Sequence, residues 1–182
     1  MIREFEKYAG IRILKFFLLN PRIEIHIKEV AKKLNVSPST AKFYCDLFLR
    51  EGIFVVEVKG NLKIFSLNNT AYIKELKKIF ALFYLKEFGL EKIVKGGSLA
   101  VYGSYASGEF NEKSDIDIIV ICEEKDLDKN LVLSLEKRIG KKIQLIIIPY
   151  HKWEKMKGGK DRRDPFAMEV LANHILIKGN KL

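Results

Sequence analysis

The chain has 182 residues, 48% of them apolar and 31% charged, and carries 33 Lys and Arg against 23 Asp and Glu, a net charge of +10. That length allows one large or two small domains, and the apolar fraction is enough for globular folding. No uninterrupted apolar run reaches membrane-spanning length, the opening MIREFEKYAG lacks the apolar stretch of a signal peptide, and Cys45 and Cys122 read as buried, reduced thiols from which no zinc site can be assembled. A cytoplasmic protein without a membrane partner is expected. The positive charge is spread over both halves, +5 in residues 1–70 and +5 in residues 71–182. Such basicity favours polyanionic partners, DNA, RNA or nucleotides, without choosing among them.

In chain order, Ile2, Phe5, Ala9, Ile13, Phe16 and Phe17 recur at helical spacing and predict a helix over 2–19, stopped before Asn20-Pro21. Residues 23–27 alternate like a short strand, and residues 28–34 make a two-turn helix ended by Asn35. Ser37 is a good N-cap, with Pro38 at the first helical position, for a helix running to Arg50 and stopped by Gly52. Residues 53–58 and 62–67 form two strands around the turn Lys59-Gly60-Asn61.

This order, and the segment EVAKKLNVSPSTAKFYCDLFLREGIF in particular, resembles the winged helix-turn-helix family. The resemblance implies a recognition helix over 38–50 whose Ala41, Cys45 and Phe48 face the core. It also implies that Ser37, Ser39, Thr40 and Lys42 meet duplex DNA in the major groove, with Lys59 and Lys63 on the wing reaching its backbone. Such proteins commonly read paired half-sites, so a homodimer is expected. Phe43, Tyr44, Leu47 and Leu49 leave the same helix apolar on nearly all sides. A structural or dimerising role for this half therefore stays open beside DNA binding.

Asn68-Asn69-Thr70 caps a helix over 71–88 with an apolar stripe of Ile73, Leu76, Ile79, Phe80, Phe83 and Tyr84. Beyond Gly96-Gly97 comes VYGSYASGEFNEKSDIDIIVI, residues 101–121: an apolar strand, a Gly-Ser turn, a polar loop and a second strand. Side chains alternate across a strand, so Asp115 and Asp117 share one face, their Cα atoms about 6.5 Å apart. Two carboxylates on one face repel each other and favour a hard, oxygen-preferring cation such as Mg²⁺. The Gly-Ser turn offers backbone N–H groups and a small hydroxyl to an anion.

Gly103-Ser104 followed by Asp115-x-Asp117 between aliphatic residues resembles the signature of the DNA polymerase β-type nucleotidyltransferases, in particular their minimal nucleotidyltransferase branch, over about the last 110 residues. The resemblance implies that Gly103 and Ser104 bind the terminal phosphates of a nucleoside triphosphate, ATP first among them. It implies as well that Asp115 and Asp117 are the catalytic pair that holds Mg²⁺. Active members usually carry a third acid on the next core strand, here KKIQLIII, where Gln144 stands in its place. Glutamine accepts a hydrogen bond but neither takes up a proton nor ligates Mg²⁺ well. His151, shortly beyond, is a candidate replacement base and more simply a surface histidine.

Residues 127–139 read as a helix covering the sheet, and residues 151–157 as a short helix with Trp153. The basic loop Gly158-Gly159-Lys160-Asp161-Arg162-Arg163 can be drawn closing over phosphates or merely solvated. A last helix over 165–172 precedes an edge strand over 175–177. The expected protein is therefore of mixed α+β class: a winged helix-turn-helix over 1–68, a connecting helix over 69–95, and a nucleotidyltransferase-fold mixed sheet flanked by helices over 96–182. Three functions stay open. The chain is a Mg²⁺-dependent nucleotidyltransferase acting on a hydroxyl, with a protein acceptor or partner among the choices; a DNA-binding regulator that senses nucleotide without turning it over; or an interaction module of a toxin–antitoxin type pair.

Overall fold

The computed structural model describes residues 2–158 and 164–182. The chain divides into two units, residues 1–83 and 84–182, and the division falls inside the long helix that the cap at 68–70 announces.

In the first unit, α1 (Ile2–Phe5) and α2 (Ala9–Leu19) stand where one helix over 2–19 is expected. The break at residues 6–8 leaves Tyr8 with extended backbone as the N-cap of α2, and Glu6 pairs with Lys15. The strand expected over 23–27 is only β1 (Ile25–His26). His26 Nδ1 accepts from the Glu29 N–H at 3.4 Å, and this cap draws Ile27 into α3 (Ile27–Leu34). Asn35 closes α3 in the left-handed region at φ 50°. Ser37 Oγ then accepts from the Thr40 N–H at 3.0 Å and starts α4 (Pro38–Arg50) with Pro38 at its first turn. Strands β2 (Phe54–Lys59) and β3 (Leu62–Leu67) pair antiparallel with Lys59 opposite Leu62, and β1 adds to the other edge of β3.

The core of this unit joins Ile13, Phe17, Val30, Ala41, Cys45, Phe54 and Phe65, all essentially inaccessible. Phe17 and Phe54 stack with ring centroids 4.1 Å apart, and Phe48 meets Phe54 edge-on at 5.2 Å. Burial and the neighbouring Asp46 push the Cys45 thiol up to about 12, so it stays protonated and inert. Tyr44 lies so close over α2 that a Cβ on Gly10 would sit 2.4 Å from its ring, which only glycine permits. The apolar surplus on α4 is thus largely absorbed within the unit: Tyr44, Phe48 and Leu49 pack on its core, and Phe43 stays 59% exposed. The first part of α5 (Ala71–Glu87) closes the same core through Ile73, Leu76 and Phe80.

The second unit is built on a four-stranded mixed sheet. After a 3₁₀ turn (Leu90–Ile93) come β4 (Ser98–Tyr102), α6 (Gly103–Ser107) and β5 (Ile116–Ile121). They are followed by α7 (Lys129–Ile139), β6 (Ile143–Ile148), α8 (Tyr150–Gly158), α9 (Pro165–Ala172) and β7 (His174–Lys178). The spatial order is β6-β5-β4-β7, with β5 and β6 parallel and the other pairs antiparallel. A parallel pair needs a crossover, and α7 supplies it between an Asp128 cap and Gly140 at φ 72°. Residues 116 and 118–121 of β5 are buried on both faces, as the unbroken aliphatic run requires. On one face Trp153, Ala167 and Val170 from α8 and α9 pack against Ala100, Ile119, Ile121 and Ile148. The molecule is therefore of mixed α+β class. Among the described residues no helix is long and apolar enough to cross a membrane.

Candidate active site

Strand β4 delivers the chain to Gly103, whose φ of +63° lies in the region glycine favours. A Cβ there would stand 2.5 Å from Asp117 Oδ2, so the bare backbone is what lets the turn lie against this carboxylate. Ser104 follows in the first turn of α6, half-buried, and its carbonyl accepts from the N–H groups of Glu109 and Phe110 at 3.0 and 3.2 Å. That closure returns the chain toward β5. Tyr105 and Phe110 stack nearly parallel, centroids 4.2 Å apart, beneath it. The polar loop is a closed turn: Asn111 N–H donates to Ser114 Oγ at 2.9 Å, Ser114 N–H to the Asn111 carbonyl at 3.1 Å, and Lys113 N–H to Asn111 Oδ1 at 2.9 Å.

Asp115 immediately follows this turn, and Asp117 is the second residue of β5. In the parallel ladder Asp117 lies opposite Gln144, the position expected for a third acid. Gln144 Nε2 donates to Asp115 Oδ2 at 2.8 Å; a carboxylate only accepts, so the amide must present its nitrogen. The exposed Gln144 thus closes on Asp115 where a carboxylate would repel it. Burial first, and the charge of Asp115 second, push the Asp117 carboxyl above its ordinary range. The site therefore favours a cation or a proton beside Asp117.

Three neighbours escape a reading of the sequence. Tyr102 ends β4 beside Gly103, meets Phe166 edge-on at 5.8 Å, and has its phenol pushed up by burial and then by Asp117 and Glu169. His174 pairs with Tyr102 in the β4–β7 ladder, and its Nδ1 bonds the Val170 carbonyl at 2.9 Å. Lys141 reaches back from the start of β6 to the turn before Asp115. Tyr102 alone carries a signal, as the residue before the Gly-Ser pair. The other two depend on strand register. His151 is not with the acids: it lies exposed on α8, past the far end of β6, and Gln144 to Ile148 alone spans about 13 Å. Of the basic loop over 158–163, Gly158 ends α8 and residues 159–163 lie outside the described residues.

In the first unit, the residues singled out for DNA lie at the start of α4 and on the hairpin. Ser37 Oγ is occupied by its cap and by Ser39 Oγ and Thr40 Oγ1 at 2.8 and 2.7 Å. Lys42 pairs with Asp46 at 2.9 Å, and Lys59 with Glu24 and Glu57 at 2.8 and 3.2 Å, while Lys63 is exposed.

A sequence model of the nucleotidyltransferase domain family matches residues 84–175, half of the chain, and the protein belongs to that family. Two proteins of Methanocaldococcus jannaschii, each named "Putative protein adenylyltransferase", are similar to it. One is 44% identical over 54 residues, 27% of this chain and 54% of its own length. The other is 29% identical over 87 residues, 46% of this chain and 57% of its own length. The chain thus spans little more than half the length of these relatives. A solved structure described as a toxin-antitoxin with AMP-PNP shares 20% identity over 57% of this chain and 72% of that one. The TM-score between the two is 0.33.

Proposed function

We propose that the second unit transfers a nucleoside monophosphate from a nucleoside triphosphate, ATP in the first instance, to a hydroxyl acceptor with release of pyrophosphate. The observation that carries this reading is the carboxylate pair Asp115 and Asp117 set against the side-chain-free turn at Gly103. Two carboxylates on one face, one of them with a raised pKa, suit Mg²⁺, which takes one or two protein carboxylates and completes its shell with substrate phosphates and water. Asp115 and Asp117 would hold the ion; among the described residues no third His, Cys, Asp or Glu joins them. When bound, it would supply charge neutralisation at the phosphates. Gly103 and Ser104 receive the terminal phosphates and orient the α-phosphorus toward the acceptor. The acceptor oxygen forms its bond to the α-phosphorus as the α–β bridging bond breaks and pyrophosphate leaves with the electron pair. Gln144 takes no proton, so the acceptor's proton passes to solvent. The relatives' name supports an adenylyl donor such as ATP and a protein as acceptor.

One observation favours a second reading. Gln144 holds Asp115 at 2.8 Å without basicity of its own, which suits a site that binds nucleotide and turns it over slowly or not at all. In that case the protein is a nucleotide-responsive regulator or one half of a toxin–antitoxin type pair. In either reading the first unit, with its helix–strand–helix–helix–hairpin order, is proposed as a winged helix-turn-helix domain that meets duplex DNA through Ser37, Ser39, Thr40, Lys42, Lys59 and Lys63.

The test is incubation with Mg²⁺ and ATP labelled on the α-phosphate, alone and with cell extract, for the wild type, Asp117→Asn and Gln144→Glu. Transfer is expected in the wild type, absent in Asp117→Asn and increased in Gln144→Glu. Label only in Gln144→Glu selects the second reading, and label that survives Asp117→Asn overturns the first.

A further inference from the structure

The turn before Asp115 has an unusual occupant. Lys141 Nζ donates to the carbonyls of Asn111, Glu112 and Ser114 at 3.2, 2.8 and 3.2 Å. An ammonium has three N–H donors, and all three are used on one four-residue loop. The ring of Tyr105 lies 6.0 Å from the same nitrogen, backed by its stack on Phe110. Burial pulls the Lys141 pKa down, while the charges of Glu112 and Asp115 oppose that shift. The neighbouring residues act in series: the Lys142 carbonyl accepts from Ile116 N–H at 2.9 Å, and Gln144 holds Asp115 Oδ2. The start of β6 thus grips the segment 111–116 at three levels.

Lys178 shows that the device alone does not define a functional residue. Its ammonium sits among the carbonyls of Val94, Glu91 and Lys95 at 2.6, 3.4 and 3.4 Å, at the end of β7 that pairs with Leu99 and away from the Tyr102 end of β4. The segment it ties down carries no member of the carboxylate pair. The loop tied down by Lys141 runs directly into Asp115, which has no strand partner of its own and no covalent restraint beyond its neighbours.

We infer that Lys141 is a positioning residue: its ammonium, seated among the carbonyls of residues 111, 112 and 114, fixes the backbone from which Asp115 meets a divalent cation. The inference rests on the proposed role of Asp115 as a metal-holding carboxylate. A ligand held before the ion arrives loses less freedom on binding it, which is how residues behind a metal ligand come to govern affinity.

The test uses the full chain with Mn²⁺ alone, a hard cation whose free form is counted by electron paramagnetic resonance, together with amide hydrogen exchange. Lys141→Met keeps the aliphatic stem and removes the donors. It is expected to weaken Mn²⁺ binding at least about tenfold and to speed exchange over 111–116 with the sheet still protected. Lys141→Arg keeps the charge and donors and should recover part of both effects, and Lys178→Met should leave Mn²⁺ affinity unchanged. The inference is overturned if Lys141→Met leaves both readouts within about twofold of the wild type, or if Lys178→Met weakens Mn²⁺ as much. Should Lys141→Met not fold, Lys141→Arg decides: changes in affinity and in exchange confined to 111–116 support the inference, and none overturns it. If the wild type itself binds no Mn²⁺, the metal reading fails on its own ground. Faster exchange confined to 111–116 would then still support the brace, and unchanged exchange would overturn it.

Discussion

The start of α4 and the Asp115–Asp117 pair both present polar groups at the beginning of an element, yet the two regions treat them oppositely. At α4 and on the hairpin the polar groups satisfy one another: Ser37 caps Thr40, and Lys42 and Lys59 each have a carboxylate within 3 Å. Nothing there is strained by the absence of a partner, and exposed ion pairs of this kind are given up cheaply to a phosphate. At the carboxylate pair, two like charges share a face, burial raises the pKa of Asp117, and a glycine clears the space beside it. The first arrangement holds itself together through its own ion pairs and cap, whereas the second sets two carboxylates side by side, and this is why the cation site is proposed there.

Gly103→Ala places a methyl group 2.5 Å from Asp117 Oδ2 at a positive φ, and is expected to cost about 1–3 kcal/mol and to weaken divalent-cation binding. Urea unfolding of the second unit, with and without Mg²⁺, measures both effects. On the other side, Ser37→Ala should cost about 1 kcal/mol in the first unit and leave cation binding untouched, because its hydroxyl caps α4.

A smaller effect follows from Asp117. A carboxyl whose pKa is raised on folding binds more protons folded than unfolded. Its contribution to stability is therefore lost as pH rises from its ordinary value of 3.8 through the raised one. Without metal, the wild type should lose stability across that window relative to Asp117→Asn; Mg²⁺ should restore it above the window. Thermal melts from acid to neutral pH, compared between the two proteins, give the sign directly.

Part of the candidate site's geometry was legible in the sequence: the spacing of Asp115 and Asp117 follows from a period of two, although β5 begins only at Ile116, and Gly103 from a turn that needs a glycine. The place of Gln144 came from the resemblance to the nucleotidyltransferase signature alone. The helix over 165–172 was equally readable, since Asp164 and Pro165 mark its start. What was not legible depends on register and on caps supplied by unusual residues. Histidine is an uncommon N-cap, so the strand over 23–27 was drawn too long. The break at residues 6–8 interrupts a continuous helical pattern without a proline or glycine inside it. Lys141 stands 27 or more residues from the carbonyls it holds, and only the parallel pairing of β5 with β6 brings them together. For the same reason His151, close to Gln144 in sequence, ends up at the wrong end of its strand.

In the proposed reading Asp115 and Asp117 form one cation-dependent nucleotide site with Gly103. It is tested most directly by calorimetric titration of the full chain with a non-hydrolysable ATP analogue, in Mg²⁺ and in EDTA, for the wild type and Asp117→Asn. Binding should require Mg²⁺ and fall at least about tenfold in the variant. Equal binding by both proteins, or binding indifferent to EDTA, would contradict it.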